Sequence, residues 1–186
     1  MAAALGLGAG CAAPSGQEAG TRTPTDTHTT AQRRMTADCD KTTPVSVPIA
    51  VVDSETFDLS VAVSSVPDGN RVVVTLENTS RRAALTGNRG KFDVQTTVDD
   101  SWESVVQRPE DRYWTDEAIR HAPGEGFEWR LGLGPGVTLD DDTHPSYVVC
   151  EPLDPGTYRF VYWGVIGETD AGRERAVATQ FRLEGE

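Results

Sequence analysis

The sequence predicts an all-β protein, an antiparallel sandwich of about seven strands. Apolar residues recur at every second position in seven short segments, the period of a strand with one buried face. Clusters rich in Gly, Pro and Asp separate those segments at turn-like spacing. No stretch sustains the 3.6-residue period of a helix of ordinary length.

The strands follow in order from Val45. Phe57-Asp-Leu59-Ser-Val61-Ala-Val63 alternates, Pro67-Asp-Gly69-Asn70 supplies a turn, and Arg71-Val-Val-Val-Thr-Leu76-Glu resumes extended structure. That is a hairpin signal, because Gly and Asn tolerate the positive φ of tight turns. Lys91-Phe-Asp-Val94-Gln-Thr96-Thr-Val98 alternates again, and Asp99-Asp100 turns the chain into Trp102-Glu-Ser-Val105-Val106. Pro123-Gly124-Glu125-Gly126 introduces Phe127-Glu-Trp129-Arg-Leu131-Gly-Leu133. The last pair is Tyr158-Arg-Phe160-Val-Tyr162-Trp163 with Ala176-Val177-Ala-Thr179-Gln-Phe181-Arg-Leu183. Thr115–His121 reads as a turn or two of helix.

Composition narrows the function classes. Of 186 residues, 17 are Lys or Arg and 29 are Asp or Glu, a formal charge of −12. From residue 41 onward, 25 acidic and 14 basic side chains leave −11 on the domain. Nucleic acid and anionic membrane surfaces require clustered Lys and Arg, so nucleic acid is not an expected partner. Dispersed carboxylates repel one another, and at molar salt that repulsion is screened within about 3 Å. With two lysines against fifteen arginines, and many Asp and Thr, the composition resembles that of extreme halophiles, as in haloarchaea; an ordinary acidic extracellular protein is the alternative.

The N-terminus carries an address. Met1-Ala-Ala-Ala-Leu5-Gly-Leu7-Gly-Ala-Gly10-Cys11 resembles the end of a lipoprotein signal peptide. The resemblance implies that Cys11 is acylated and becomes the mature N-terminus, holding the protein to the membrane by its lipid. Leu7 lies one position too far from Cys11, and a basic n-region is missing, which predicts a coding start upstream of Met1. The alternative is a plain terminus with an incidental thiol. Residues 12–40, with Pro14, Gly16, Gly20, Pro24 and a run of threonines, are expected to form a tether. His28 in that segment has no expected role. The expected organisation is therefore a residual signal over 1–11, a tether over 12–40 and a domain over 41–186.

Cys39 and Cys150 are then an even pair, as expected of an extracellular protein. A disulfide between them would close a loop of about 110 residues, contributing roughly 4–5 kcal/mol in the chain-entropy model. Two unpaired buried thiols are the alternative. Zinc is not expected, because neither CxxC nor neighbouring Cys/His spacing occurs.

One local motif is sharper than the alternation. Leu153-Asp154-Pro155-Gly156-Thr157-Tyr158-Arg159-Phe160 resembles the corner before the penultimate strand of immunoglobulin-like domains. The resemblance implies a Tyr158 hydroxyl bonded back across the corner and an inward Phe160 where antibody domains carry a core Cys. Together with Val-Thr-Leu-Glu-Asn78, Asp99-Asp-Ser-Trp102 and Ala-Pro-Gly-Glu125…Trp129, it makes residues 57–184 similar to the immunoglobulin-like domains of bacterial and archaeal lipoproteins. More distantly, the same span is similar to proteinase-inhibitor domains of the BsuPI type.

Chemistry-bearing residues are few. His121 and His144 lack any HExxH or GxSxG-type setting, so no catalytic residue and no enzyme activity is expected. Asp140-Asp141-Asp142 before His144 suggests calcium, yet the spacing of an EF-hand loop is missing and a solvated acidic loop explains the run. No metal or cofactor is expected. Trp102, Trp129 and Trp163 belong to strands and to packing. Arg112, Tyr113 and Trp114 fall in a loop and are the types richest at interfaces, which makes them the candidate binding residues; plugging the end of the sandwich is their alternative role. Asn78-Thr79-Ser80 is a glycosylation sequon or an ordinary turn. The functional expectation is a non-catalytic, lipid-anchored module outside the cell, with an envelope protein or glycan as partner. The alternative is a proteinase inhibitor presenting the loop 107–124.

Overall fold

The structure, a computed structural model, describes residues 39–67, 71–135, 139, 143–166 and 174–185. Cys11, the segment 12–38, the Pro67–Asn70 turn beyond Pro67, and Asp140–Asp142 lie outside the described residues. Among the described residues the fold is all-β: one 3-10 turn at Cys39–Lys41 and thirteen strands.

Seven strands of four residues or more form the two layers: β3 (Phe57–Val61), β5 (Arg71–Asn78), β7 (Phe92–Val98), β8 (Ser101–Ser104), β11 (Gly126–Gly132), β12 (Gly156–Tyr162) and β13 (Glu174–Leu183). These are the seven segments that alternation identifies. The remaining strands are β1 (Thr42–Pro44), β2 (Ile49–Val51), β4 (Ser65–Val66), β6 (Ala84–Thr86), β9 (Gln107–Pro109) and β10 (Ile119–His121). One sheet has the order β11-β5-β3; the other has the order β2-β13-β12-β7-β8, with β4 also on β13. Pairing is antiparallel except that β2 and β4 run parallel to β13, which corrects the purely antiparallel expectation. The chain thus passes from one sheet at β3 to the other at β4, before returning through β5 to pair with β3.

The core lies between the layers. Val72, Val74 and Leu76 of β5 and Trp129 and Leu131 of β11 meet Phe92 and Val94 of β7, Phe160 and Tyr162 of β12, and Phe181 of β13. Trp129 spans the gap, its ring 4.9 Å from Phe160 and 5.4 Å from Tyr162. Each such side chain fully removed from water is worth about 1.5–3 kcal/mol. The Tyr158 hydroxyl donates to the Asp154 carbonyl at 2.7 Å, and Phe160 is fully buried, as the corner motif implies. Asp99 (φ 46°) and Asp100 (φ 64°) turn β7 into β8 with both residues in the left-handed region, the requirement of a type I′ hairpin.

The helical reading of Thr115–His121 is overturned. Ile119–His121 is β10, paired antiparallel with Ala84–Thr86, and the residues before it have no regular structure. Seven residues give too little period to separate helix from strand, and the long-range pairing decides. Cys39 and Cys150 are bonded, with Cα atoms 5.9 Å apart across 111 positions of sequence. The bridge fastens the 3-10 turn ahead of β1 to the segment leading into β12.

Candidate functional site

The loop between β9 and β10 is built on Arg108. Its Nη1 donates to the carbonyls of Pro109 at 3.1 Å and Arg112 at 2.7 Å, closing the loop's first turn. The guanidinium lies 4.9 Å from the Tyr113 ring centroid and 5.3 Å from that of Trp114. One arginine therefore orders the backbone through Arg112 and both aromatic rings after it. Further along, Asn88 Nδ2 donates to Glu117 Oε1 at 2.9 Å, and Lys91 pairs with Asp116 at 3.7 Å. The loop is held at both ends by side chains.

The three candidate binding residues separate by role. Trp114 is half-buried: its Nε1 is shared between the Gly90 carbonyl at 2.8 Å and the Tyr147 hydroxyl, and its ring stands edge-on to Trp163 at 5.3 Å. It packs against the core and positions the loop, the plugging role rather than the contacting one. Tyr113 is 66% exposed, the most accessible large apolar side chain among the described residues. Arg112 is exposed beside Asp111, 3.8 Å away. The Gly90 turn that receives Trp114 presses on the His144 carbonyl so closely that a Cβ at Gly90 would overlap it. Only glycine permits that approach.

The sequon at Asn78 is corrected. Asn78 is fully buried; its Nδ2 donates to the carbonyls of Arg82 at 2.8 Å and His121 at 3.0 Å. Its Oδ1 accepts from the Ser80 backbone at 3.1 Å and the Ser80 hydroxyl at 2.7 Å. The amide has no face left for a glycan, and Asn78 is the turn residue of the alternative reading. His121 is also structural: its Nε2 meets Thr86 Oγ1 at 2.8 Å, and Phe57 and Phe127 press edge-on against its ring. Burial lowers its pKa against a smaller opposing effect of Glu125. His144 is exposed. Among the described residues no group of three or more His, Cys, Asp or Glu is placed to hold a metal ion.

Sequence reasoning missed a polar centre on β7. Asp93 is only 2% exposed, and its Oδ2 accepts from Gln95 Nε2 at 2.7 Å while Oδ1 accepts from Ser104 Oγ at 2.7 Å. Arg159 Nε donates to Gln95 Oε1 at 2.8 Å, and its guanidinium lies 4.3 Å over the Trp102 ring. Desolvation pushes the Asp93 carboxyl up to about 7, outweighing the hydrogen bonds and Arg159 that favour its charge. Also unforeseen is a groove of about 650 Å³ where Phe57, Ala84, Leu85, Ile166 and Arg175 converge. Leu85 belongs to a strand too short for alternation to show its direction.

No protein-family model and no curated protein matches the chain. Solved structures with some likeness include a β-glucosidase from Erythrobacter marinus, at 15% identity over 69% of this chain and 15% of that one, TM-score 0.34. A mutant β-glucosidase from Listeria innocua in complex with laminaribiose matches at 13% identity over 72% and 17%, TM-score 0.33. The sporulation control protein Spo0M from Bacillus subtilis matches at 12% identity over 70% and 49%, TM-score 0.30. The chain spans less than half the length of each. Likenesses of this size carry no argument about fold or activity.

Proposed function

We propose that this protein is a non-catalytic interaction module of the cell envelope, an immunoglobulin-like domain held outside the cell by a lipid on Cys11. The observation that carries the proposal is Tyr113, a largely exposed aromatic ring on a loop whose flanks are fixed by Arg108, Trp114 and Asn88. A ring held in place before contact loses little conformational freedom on binding, and Tyr is among the residue types that dominate interface energetics. The partner is an envelope protein or glycan met by Tyr113 and Arg112, with Trp114 as the support beneath. No cofactor enters this reading.

Cross-linked capture from envelope preparations in molar salt tests it, comparing the native chain with Tyr113→Ala. A partner lost in the variant supports the loop as the docking face; a partner retained moves the face elsewhere.

The proteinase-inhibitor alternative is favoured by one observation. Residues 111–118 have no regular secondary structure, are exposed except at Trp114, and are pinned at both ends, the form a loop needs to occupy a protease cleft. Titrating envelope proteases with the purified chain separates the two readings, since an inhibitor abolishes activity stoichiometrically.

A further inference from the structure

Ser104 has one proton and two acceptors within reach. Its Oγ lies 2.7 Å from Asp93 Oδ1 and 3.0 Å from the Val106 carbonyl, and it also accepts the Val106 backbone N–H at 3.3 Å. A serine hydroxyl donates once and accepts twice, so it cannot serve both oxygens. With Asp93 ionised, the Ser104 proton is drawn to the carboxylate. With Asp93 protonated on Oδ1, the carboxyl donates to Ser104 Oγ, and the Ser104 proton is released to the Val106 carbonyl.

That carbonyl lies at a junction. It accepts the Val45 N–H at 3.3 Å, at the point where β1 has just left its pairing with β9. β9 in turn bears Arg108, the root of the Tyr113 loop. The groups facing Asp93 are Arg159 from β12 and Tyr147 from the segment before Cys150, with Arg108 of β9 felt at Tyr147. Glu103 of β8 alternates to the opposite face from Ser104, so β8 contributes only the hydroxyl. Arg159 and Asp93 form no direct ion pair, so the guanidinium acts on the carboxyl only as a lesser charge effect beside burial and hydrogen bonding.

We propose that Asp93 and Ser104 form a proton-controlled latch on the β1–β9 ribbon, closed when Asp93 is neutral and relaxed when it is ionised. In the closed state a continuous relay runs from Asp93 through Ser104 to the Val106 carbonyl, where β1 and β9 meet. In the relaxed state that carbonyl keeps only its Val45 partner. The elevated titration of this carboxyl places the change near neutral pH. The latch stands independently of whether the Tyr113 loop is the docking face, because its readout is Val45 and not binding.

The test is a titration of the full chain, isotopically labelled, from about pH 5 to about pH 9, following the Asp93 carboxyl carbon and the Val45 amide by NMR. Both signals move together with a midpoint near the Asp93 value. Val45 exchange protection, corrected for base catalysis, is about fivefold higher on the acid side, the worth of one ordinary hydrogen bond. In Ser104→Ala, Asp93 still titrates but Val45 no longer follows; in Asp93→Asn the Val45 transition disappears. A midpoint in the ordinary carboxylate range overturns the latch, as does a Val45 transition that persists in Ser104→Ala. Should Asp93→Asn fail to fold, Ser104→Ala alone decides the matter.

Discussion

Phe92 and Asp93 are neighbours on one strand and are buried to nearly the same degree, yet they occupy opposite chemistries. Phe92 faces the space between the sheets, with its ring 5.0 Å from Phe160 and 6.2 Å from Trp129. Asp93 faces the other side of β7, into Gln95, Ser104 and the field of Arg159. The first region is stabilised by displaced water and contact, both non-directional and insensitive to pH. The second depends on hydrogen bonds that must all be made, because a buried polar group without partners costs more than the bond it forgoes. A sheet can thus be closed on both faces by different means, one robust and one conditional.

The largest effect should come from breaking the apolar side. Phe160→Ala leaves a cavity beneath Trp129 and Phe92 and should cost about 3–5 kcal/mol in chemical denaturation. A loss under 1 kcal/mol would mean the two layers collapse to refill the space.

The polar side should reveal itself through pH. A carboxyl raised in the folded state favours the protonated form, so its stabilisation is complete below the unfolded value near 4 and lost as pH rises through about 7. Between those limits Asp93 alone contributes a slope approaching about 1.4 kcal/mol per pH unit. Subtracting the urea-unfolding profile of Asp93→Asn from that of the native chain isolates the term from the other carboxylates. A flat difference would mean water reaches Asp93.

Smaller effects sharpen the boundary between the regions. Trp102→Ala removes the ring under Arg159 at the solvent end of the polar face, and should cost about 0.5–1 kcal/mol, the range of an exposed cation–π contact. At the far end of the same hairpin, Asp99→Asn with Asp100→Gly relieves two left-handed carboxylate residues and should gain up to about 1 kcal/mol in thermal unfolding. A loss there would show that the Asp pair is held by contacts the turn itself does not explain.

The same contrast explains how much could be read in advance. The seven long strands, the Tyr158 corner and the inward Phe160 follow from period-two alternation and a corner motif, which are local signals. Strands β1, β2, β6, β9 and β10 hold three residues each and β4 two, too few for any period to emerge. Of these, β2 and β4 exist because β13 offers them an edge, whereas β1 pairs with β9 and β6 with β10, short strands that long-range contact brings together. Asp93 and Gln95 alternate correctly with Phe92 and Val94, and alternation sends them to solvent. Their burial comes from segments far along the chain, which no local pattern contains. Trp114 and Asn78 take the second of the two roles the sequence left open, plug and turn: distant carbonyls of Gly90 and His121 claim them, with the nearby Arg82 carbonyl completing the set at Asn78.

The bridge between Cys39 and Cys150 also fixes how the domain would bear force. A pull between the chain ahead of Cys39 and the C-terminus passes directly through the sulfurs into Cys150, so residues 40–149 form a closed loop outside the line of tension. Strands β3, β5, β7, β8 and β11 lie wholly within that loop and cannot be drawn out while the bridge is intact. Only the 36 residues after Cys150 can lengthen under load, a reach of roughly 120–130 Å at the extension of a taut chain. Reduction of one bond releases the other 110 residues to the same pull, so a single-molecule stretching trace with and without reductant would differ by a few hundred ångströms, about 3.3–3.6 Å for each residue set free.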